Sequence, residues 1–308
     1  MRIDSHLHLN FKNVRTGDDI IAHLDCHNLE KCWLLTWEEL HPVIPCEYRH
    51  LSARDVCDAY HAHPSRIVPM YAPDPATPDL EQKIADYYSR GIRGLGELKV
   101  SLNWDSPFIE RFLVAAARYH LPVIFHMEEP GYFPFRHHSL NRIFNATLNR
   151  NNQIGRFLAS SIRTRNGYFP GYLPDFQSLE ERLGQFPDVP FIGHGQFFWK
   201  GIAGGEREDA PYPHRPVRQP GILSDILRRH DNLFADLSGR SGYNALSRDI
   251  PYARQFVSEF SHKLLFGTDN GSYGIGDLLS GLRPGPGAMD RIMGLNAARI
   301  LEQQERYR

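Results

Sequence analysis

Short apolar, β-rich runs alternate with helical stretches eight times along this chain, and few architectures accept that order. The runs are 3–9, 31–36, 66–72, 92–100, 121–126, 189–194, 232–237 and 263–269. They are near-continuous rather than strictly alternating, as strands of a parallel sheet covered on both faces must be. Eight such strands with helices between them predict an α/β fold, a single (β/α)8 TIM barrel. A doubly wound open sheet is the structural alternative. No glycine-rich phosphate loop follows a strand: Gly94-Leu95-Gly96 lies inside a run and precedes a carboxylate. A length of 308 residues suits one large barrel or two ordinary domains. With no internal repeat and no low-complexity linker, one domain spanning 1–308 is expected.

The helical stretches read as 18–27, 52–63 with Ser52 as N-cap, 80–90 closed by Gly91, 108–119, 178–186, 222–230, 252–260 and 288–301, the last broken near Gly294 and Asn296. Two stretches, 127–176 and 196–220, interrupt the alternation. They are read as long loops after strands five and six, lying over the mouth of the barrel.

Composition narrows the function classes. A formal net charge of −1 argues against a non-specific nucleic-acid binder. No run reaches the roughly 18–20 apolar residues of a membrane span, and no signal-like segment is visible. Cys26, Cys32, Cys46 and Cys57 have no CxxC spacing and read as reduced thiols. The expectation is a cytoplasmic protein acting on a small molecule, with no nucleic-acid or membrane partner and a homo-oligomer left open.

The chemistry lies where the runs end. His6 and His8, spaced i, i+2, share a strand face. The fifth run ends at His126, the sixth at His194 and the eighth at Asp269. In a parallel barrel all these ends lie on one rim, where such folds build their sites. Imidazole nitrogen with carboxylate oxygen is the donor set of a catalytic transition metal. On strand four, Glu97 and Lys99 also share a face. They read as substrate contacts or as an ion pair in the mouth. Glu128 lies i+2 from His126, and Asp236 on strand seven is placed to orient a ligand.

Six segments carry a resemblance: Ile3-Asp4-Ser5-His6-Leu7-His8, Phe125-His126, Ile192-Gly193-His194-Gly195, Phe234-Ala235-Asp236-Leu237-Ser238, Leu265-Phe266-Gly267-Thr268-Asp269 and Asn296-Ala297-Ala298-Arg299. In order and chain position they resemble the amidohydrolase superfamily, in particular its amidohydrolase-2 branch of metal-dependent TIM-barrel hydrolases. The resemblance implies that His6, His8, His126 and Asp269 hold one divalent ion, usually zinc. A second ion would be bridged through Glu97 or a carboxylated Lys99. It implies that His194 is a second-metal ligand, a general base or an electrophile, and that Asp269 relays the proton of a metal-activated water. The expected reaction is hydrolysis of an amide, lactone or ester of a small, anionic molecule. Non-oxidative decarboxylation of an aromatic or amino-muconate-type acid is the alternative, and a non-catalytic ligand-binding barrel is a third reading. Lys99, Glu128 and, from the first long loop, Arg136, Arg163 and Tyr168 are the expected substrate contacts, because guanidinium forks match carboxylates.

Overall fold

The computed structural model describes residues 1–37, 51–132, 168–205, 211–271 and 273–305. Its parallel strands are β1 (Ile3–His8), β2 (Lys31–Leu35), β3 (Ile67–Pro69), β4 (Leu95–Leu98), β5 (Val123–His126), β8 (Phe191–His194), β9 (Leu233–Asp236) and β10 (Leu264–Leu265). A two-stranded antiparallel hairpin, β6 (Gly131–Tyr132) with β7 (Tyr168–Phe169), rises from the loop after β5. The parallel strands form two ladders, β1-β2-β3 and β4-β5-β8-β9-β10. Backbone bonding continues across both seams. Met70 pairs with Gly94 between β3 and β4. On the other side Ser5 N donates to Phe266 O at 2.9 Å, and Asp269 N to His6 O at 2.8 Å. This is the (β/α)8 order that the alternation predicts.

Helices between the strands are α1 (Gly17–Cys26), α2 (Ala53–Ala62), α3 (Leu80–Ser89), α4 (Pro107–Arg118), α5 (Phe176–Gln185), α6 (Gln196–Lys200), α7 (Ile222–Arg229), α8 (Gly239–Ser247), α9 (Ile250–Phe260), α10 (Ile275–Leu282), α11 (Ala288–Asp290) and α12 (Asn296–Glu305). Five of them begin where a side chain accepts an otherwise unbonded N–H. Thr16 caps α1 in a reciprocal capping box with Asp19. Ser52 caps α2, Ser106 α4, Asp175 α5 and Asp249 α9.

Three helices were not expected. α6 opens the stretch 196–220, α8 follows β9 directly, and α10 follows β10. α6 spans five residues, too few for a periodic signal. α8 carries two glycines, Gly239 and Gly242, which lower helix propensity.

Inward and outward positions separate cleanly. One apolar cluster gathers Ile3, Trp33, Leu35, Met70, Ile124, Ile192 and Leu265 from the strands with Ala297, Ala298 and Ile300 of α12. A larger cluster joins the opposite strand faces, such as Phe125, Phe191, Leu233, Ala235 and Leu264, to the surrounding helices. Burying each such side chain contributes about 1.5–3 kcal/mol. A one-residue slip would turn every one of them to the wrong face, so register is fixed by the core.

The ligand positions inherit that register. On β5 inward Ile124 is followed two residues later by His126, on β8 Ile192 by His194, and on β9 Phe234 by Asp236. Along the continuation of β10, Leu265 is followed by Gly267 and then Asp269. An apolar floor therefore lies beneath a polar layer at the C-terminal rim.

Candidate metal centre

Two strands need an irregularity to deliver their side chains. On β1 the pairing with β2 shifts between Asp4 and Leu7. Ile3 joins the inner cluster while Leu7, of the same parity, joins the outer one. The shift turns His6 and His8 inward together with Ile3. On β4 the pairing with β5 shifts between Leu95 and Leu98. Both leucines lie in the outer cluster despite opposite parity, and Glu97 between them is 2% exposed. Such irregularities re-aim side chains beside active sites.

The four histidines and Glu97 then converge. His6 Nε2 lies 3.1 Å from His8 Nε2. Glu97 Oε2 is 3.6 Å from the first and 3.4 Å from the second. Glu97 Oε1 accepts from His126 Nδ1 at 2.7 Å, and Trp37 Nε1 donates to its other oxygen. Among the described residues, three groups place ligand atoms within 4.8 Å of one another: His6, His8 and Glu97; Glu97, His126 and His194; and His6, His194 and Asp236.

The outer ring nitrogens are already committed. His6 Nδ1 lies 2.6 Å from Asp236 Oδ2, and His8 Nδ1 lies 3.1 Å from the carbonyl of Leu35. His194 Nδ1 faces Ser238 Oγ at 3.1 Å and Asp236 Oδ2 at 3.2 Å. Ser238 Oγ itself donates to Asp236 at 2.7 Å. Each of these acceptors fixes the tautomer with the proton on Nδ1. The Nε2 atoms of His6 and His8 therefore face each other, and His126 Nε2 is buried with no hydrogen-bond partner among the described residues. Two buried imidazole nitrogens this close must share a proton or a cation, and a divalent cation satisfies both of them together with His126. The donor set fits zinc or a similar ion.

The electrostatics agree. Burial would lower the pKa of His6, but the Asp236 carboxylate, with Glu97 behind it, holds it well above the usual imidazole value. The same field favours any cation. Burial pushes His8 down, and burial with the charge of His6 pushes His194 down, so both are neutral imidazoles. Burial opposes ionisation of Glu97 and Asp236, yet both lie below the usual carboxylate range. The Lys99 ammonium and three imidazoles outweigh it for Glu97, and His6 and His194 do so for Asp236.

Asp269 stands at the edge of the group. Its Oδ1 is 3.8 Å from His8 Nε2, and its side chain is 23% exposed. Lys12 Nζ donates to its carbonyl at 2.7 Å. Glu128 Oε2 lies 3.5 Å from His126 Nε2. Lys99 is 3% exposed, with its ammonium 5.0 Å from the centre of the Trp37 ring and 5.6 Å from that of Tyr172. Arg136 and Arg163 lie outside the described residues, and Tyr168 contributes its backbone to the hairpin.

Glycines make the room. Gly195 has φ of 98°, and a Cβ there would sit 2.6 Å from Met127 O and 3.0 Å from the His126 ring. A Cβ on Gly267 would sit 2.9 Å from Asp236 Oδ1 and 3.0 Å from His6 Cβ.

Several residues of the site are not singled out by run-end reasoning. Asn270 accepts from His8 N at 2.8 Å and donates to His8 O at 2.7 Å, clamping the end of β1. Asp4 accepts from His6 N at 3.1 Å and Thr268 N at 2.9 Å, joining β1 to β10. Trp37 braces Glu97, and Ser238 braces Asp236 and His194. Trp37, Ser238 and Asn270 lie one or two residues beyond a strand's apolar run, which is the signal that finds them.

The chain matches the amidohydrolase family over residues 39–303. No curated protein matches it. Among solved structures it is similar to a probable 2-pyrone-4,6-dicarboxylic acid hydrolase from Acinetobacter baumannii with citric acid bound, at 14% identity and a TM-score of 0.57, covering 98% of this chain and 99% of that one. It is similar to a zinc-bound amidohydrolase from Burkholderia multivorans, at 12% identity and a TM-score of 0.55, covering 98% and 99%. A 5-carboxyvanillate decarboxylase from Novosphingobium aromaticivorans, complexed with manganese and 4-hydroxy-3-methoxy-5-nitrobenzoic acid, aligns at 12% identity and a TM-score of 0.56, covering 98% and 96%. At these identities the likeness shows the fold.

Proposed function

From a chain that belongs to the amidohydrolase family, and is thereby an enzyme of the metal-dependent type, we propose a hydrolase that cleaves an amide, lactone or ester bond of a small molecule. The observation that carries the reading is the apposition of the His6 and His8 Nε2 atoms at 3.1 Å beside Glu97 and the unpartnered Nε2 of His126. His6, His8, His126 and Glu97 would hold the ion, with Asp269 completing the set from the side of His8. Glu97 belongs to two of the candidate groups and would be the shared ligand if a second ion were held. When bound, a divalent ion of this kind acidifies water and polarises a carbonyl.

The remaining steps fall to side chains. Asp269, partly exposed beside His8, takes the proton of the attacking water and returns it to the leaving group. His194 is neutral, with its Nδ1 turned to Asp236 and Ser238, so its Nε2 offers a lone pair. That favours a base or ligand role over an electrophilic one. Asp236 keeps His6 and His194 in orientation and does not reach the substrate.

The test is an assay of the purified protein, with zinc and with manganese, against a panel of lactones, esters, amides and aromatic acids. Hydrolysis products that vanish in Asp269→Asn support the proposal. Carbon dioxide from an aromatic acid, with no hydrolysis of any panel member, would replace hydrolysis with decarboxylation. No turnover by a metal-loaded protein would move the reading to a binding barrel.

A further inference from the structure

We infer that the substrate carries a carboxylate that is received by Lys99, at the base of the mouth between Trp37 and Tyr172. The inference rests on the reading of the mouth as the active site and deepens it by naming a substrate class. Lys99 follows Glu97 by two residues, beyond the irregularity in β4, and both are buried. The Trp37 ring that its ammonium approaches lies 4.3 Å from the His8 ring. The Tyr172 ring on the other side lies 6.1 Å from the His126 ring. The ammonium is thus one ring away from two of the four imidazoles. A molecule with its reacting bond at the histidines reaches Lys99 within the span of a small acid.

The surroundings make that ammonium an effective anchor. Trp37 and Tyr172 are nearly inaccessible to solvent, and excluding water strengthens a charge pairing. Glu97, the neighbouring carboxylate, accepts from Trp37 and His126 and also feels the charge of Lys99. The rim repeats the pattern, with Lys12 4.7 Å above Phe11 and Arg240 4.3 Å above Tyr212. Cations set against aromatic rings thus recur along the rim, where Lys12 also stands 3.9 Å from the Asp269 carboxylate.

The experiment is calorimetric titration of the zinc-reconstituted and the chelated protein with benzoate and with benzamide, which differ in charge and little in shape. Metal content and circular dichroism are recorded for each variant. Wild type is expected to bind benzoate at least about tenfold more tightly than benzamide. Lys99→Met is expected to lose that preference while keeping its fold and metal content. Lys99→Arg, whose planar fork is longer and wider than an ammonium, should recover it only in part. An unchanged preference in Lys99→Met, or no benzoate binding by wild type, would overturn the inference. Loss of metal from Lys99→Met would overturn it too, by making Lys99 part of the metal site. Failure of the metal-site reading shows separately, as wild type that takes up no zinc.

Discussion

Asp236 receives four donors on one carboxylate: His6 Nδ1, Ser238 Oγ, Ser238 N and His194 Nδ1. It is fully buried, so its charge acts on the imidazoles with little screening. Removing that charge while keeping the side chain's size should loosen the metal without unfolding the barrel. Asp236→Asn is expected to weaken zinc affinity about 10–100-fold, measured against a competing chelator, with circular dichroism unchanged. Wild-type affinity in that variant would remove Asp236 from the account. Asp269 makes the complementary case. Asp269→Asn should keep metal bound through the histidines and lower turnover on the order of 10²–10⁴-fold. Wild-type turnover in a folded variant would take the proton relay away from Asp269. The ligand-type residues at run ends were legible because strand ends meet at one rim. Their braces were legible only as positions just past a run and not by role, since Trp37 and Asn270 act through contacts made far away in sequence, to Glu97 and to the end of β1.

β4 shows how an element delivers a residue. Its register shift turns Glu97 inward while Leu95 and Leu98 both stay in the outer core. A Cβ on Gly96 would stand 2.7 Å from Ile124 Cβ and 3.0 Å from its carbonyl. Gly96→Ala should therefore lower stability by about 1–3 kcal/mol and reduce metal content, read by denaturant unfolding and elemental analysis. α1 is the control far from the metal residues. Thr16→Ala removes the cap to Asp19 N and is expected to cost about 1 kcal/mol with metal content unchanged. A metal loss in Thr16→Ala, or none in Gly96→Ala, would contradict this division of labour. The shifts on β1 and β4 left no mark in the sequence, because period-2 reasoning assumes an unbroken pleat. The i, i+2 rule places His6 with His8 and Glu97 with Lys99, although the shift in each strand falls beside the first member of the pair. The helices α6, α8 and α10 were illegible for a different reason, being short or glycine-bearing and set by packing rather than periodicity.

At the scale of the whole molecule, eight apolar runs impose the barrel, and an apolar floor beneath a polar rim follows from strand parity. Among the described residues, no helix is long and apolar enough to cross a membrane. The family match and the strand order agree with the expectation drawn from alternation. Arg136 and Arg163, expected to contact substrate, lie outside the described residues, so the specificity of the first long loop is not part of this geometry. The central claim is that His6, His8, His126 and Glu97 form a metal centre, and elemental analysis tests it most directly. Metal per chain should be measured by plasma mass spectrometry on protein purified without chelator, then again after chelation and reconstitution with zinc or manganese. The account predicts at least one ion per chain, lost on chelation, restored on reconstitution and absent from a folded His6→Ala/His8→Ala variant. No ion at any stage, or full occupancy in that variant, would contradict it.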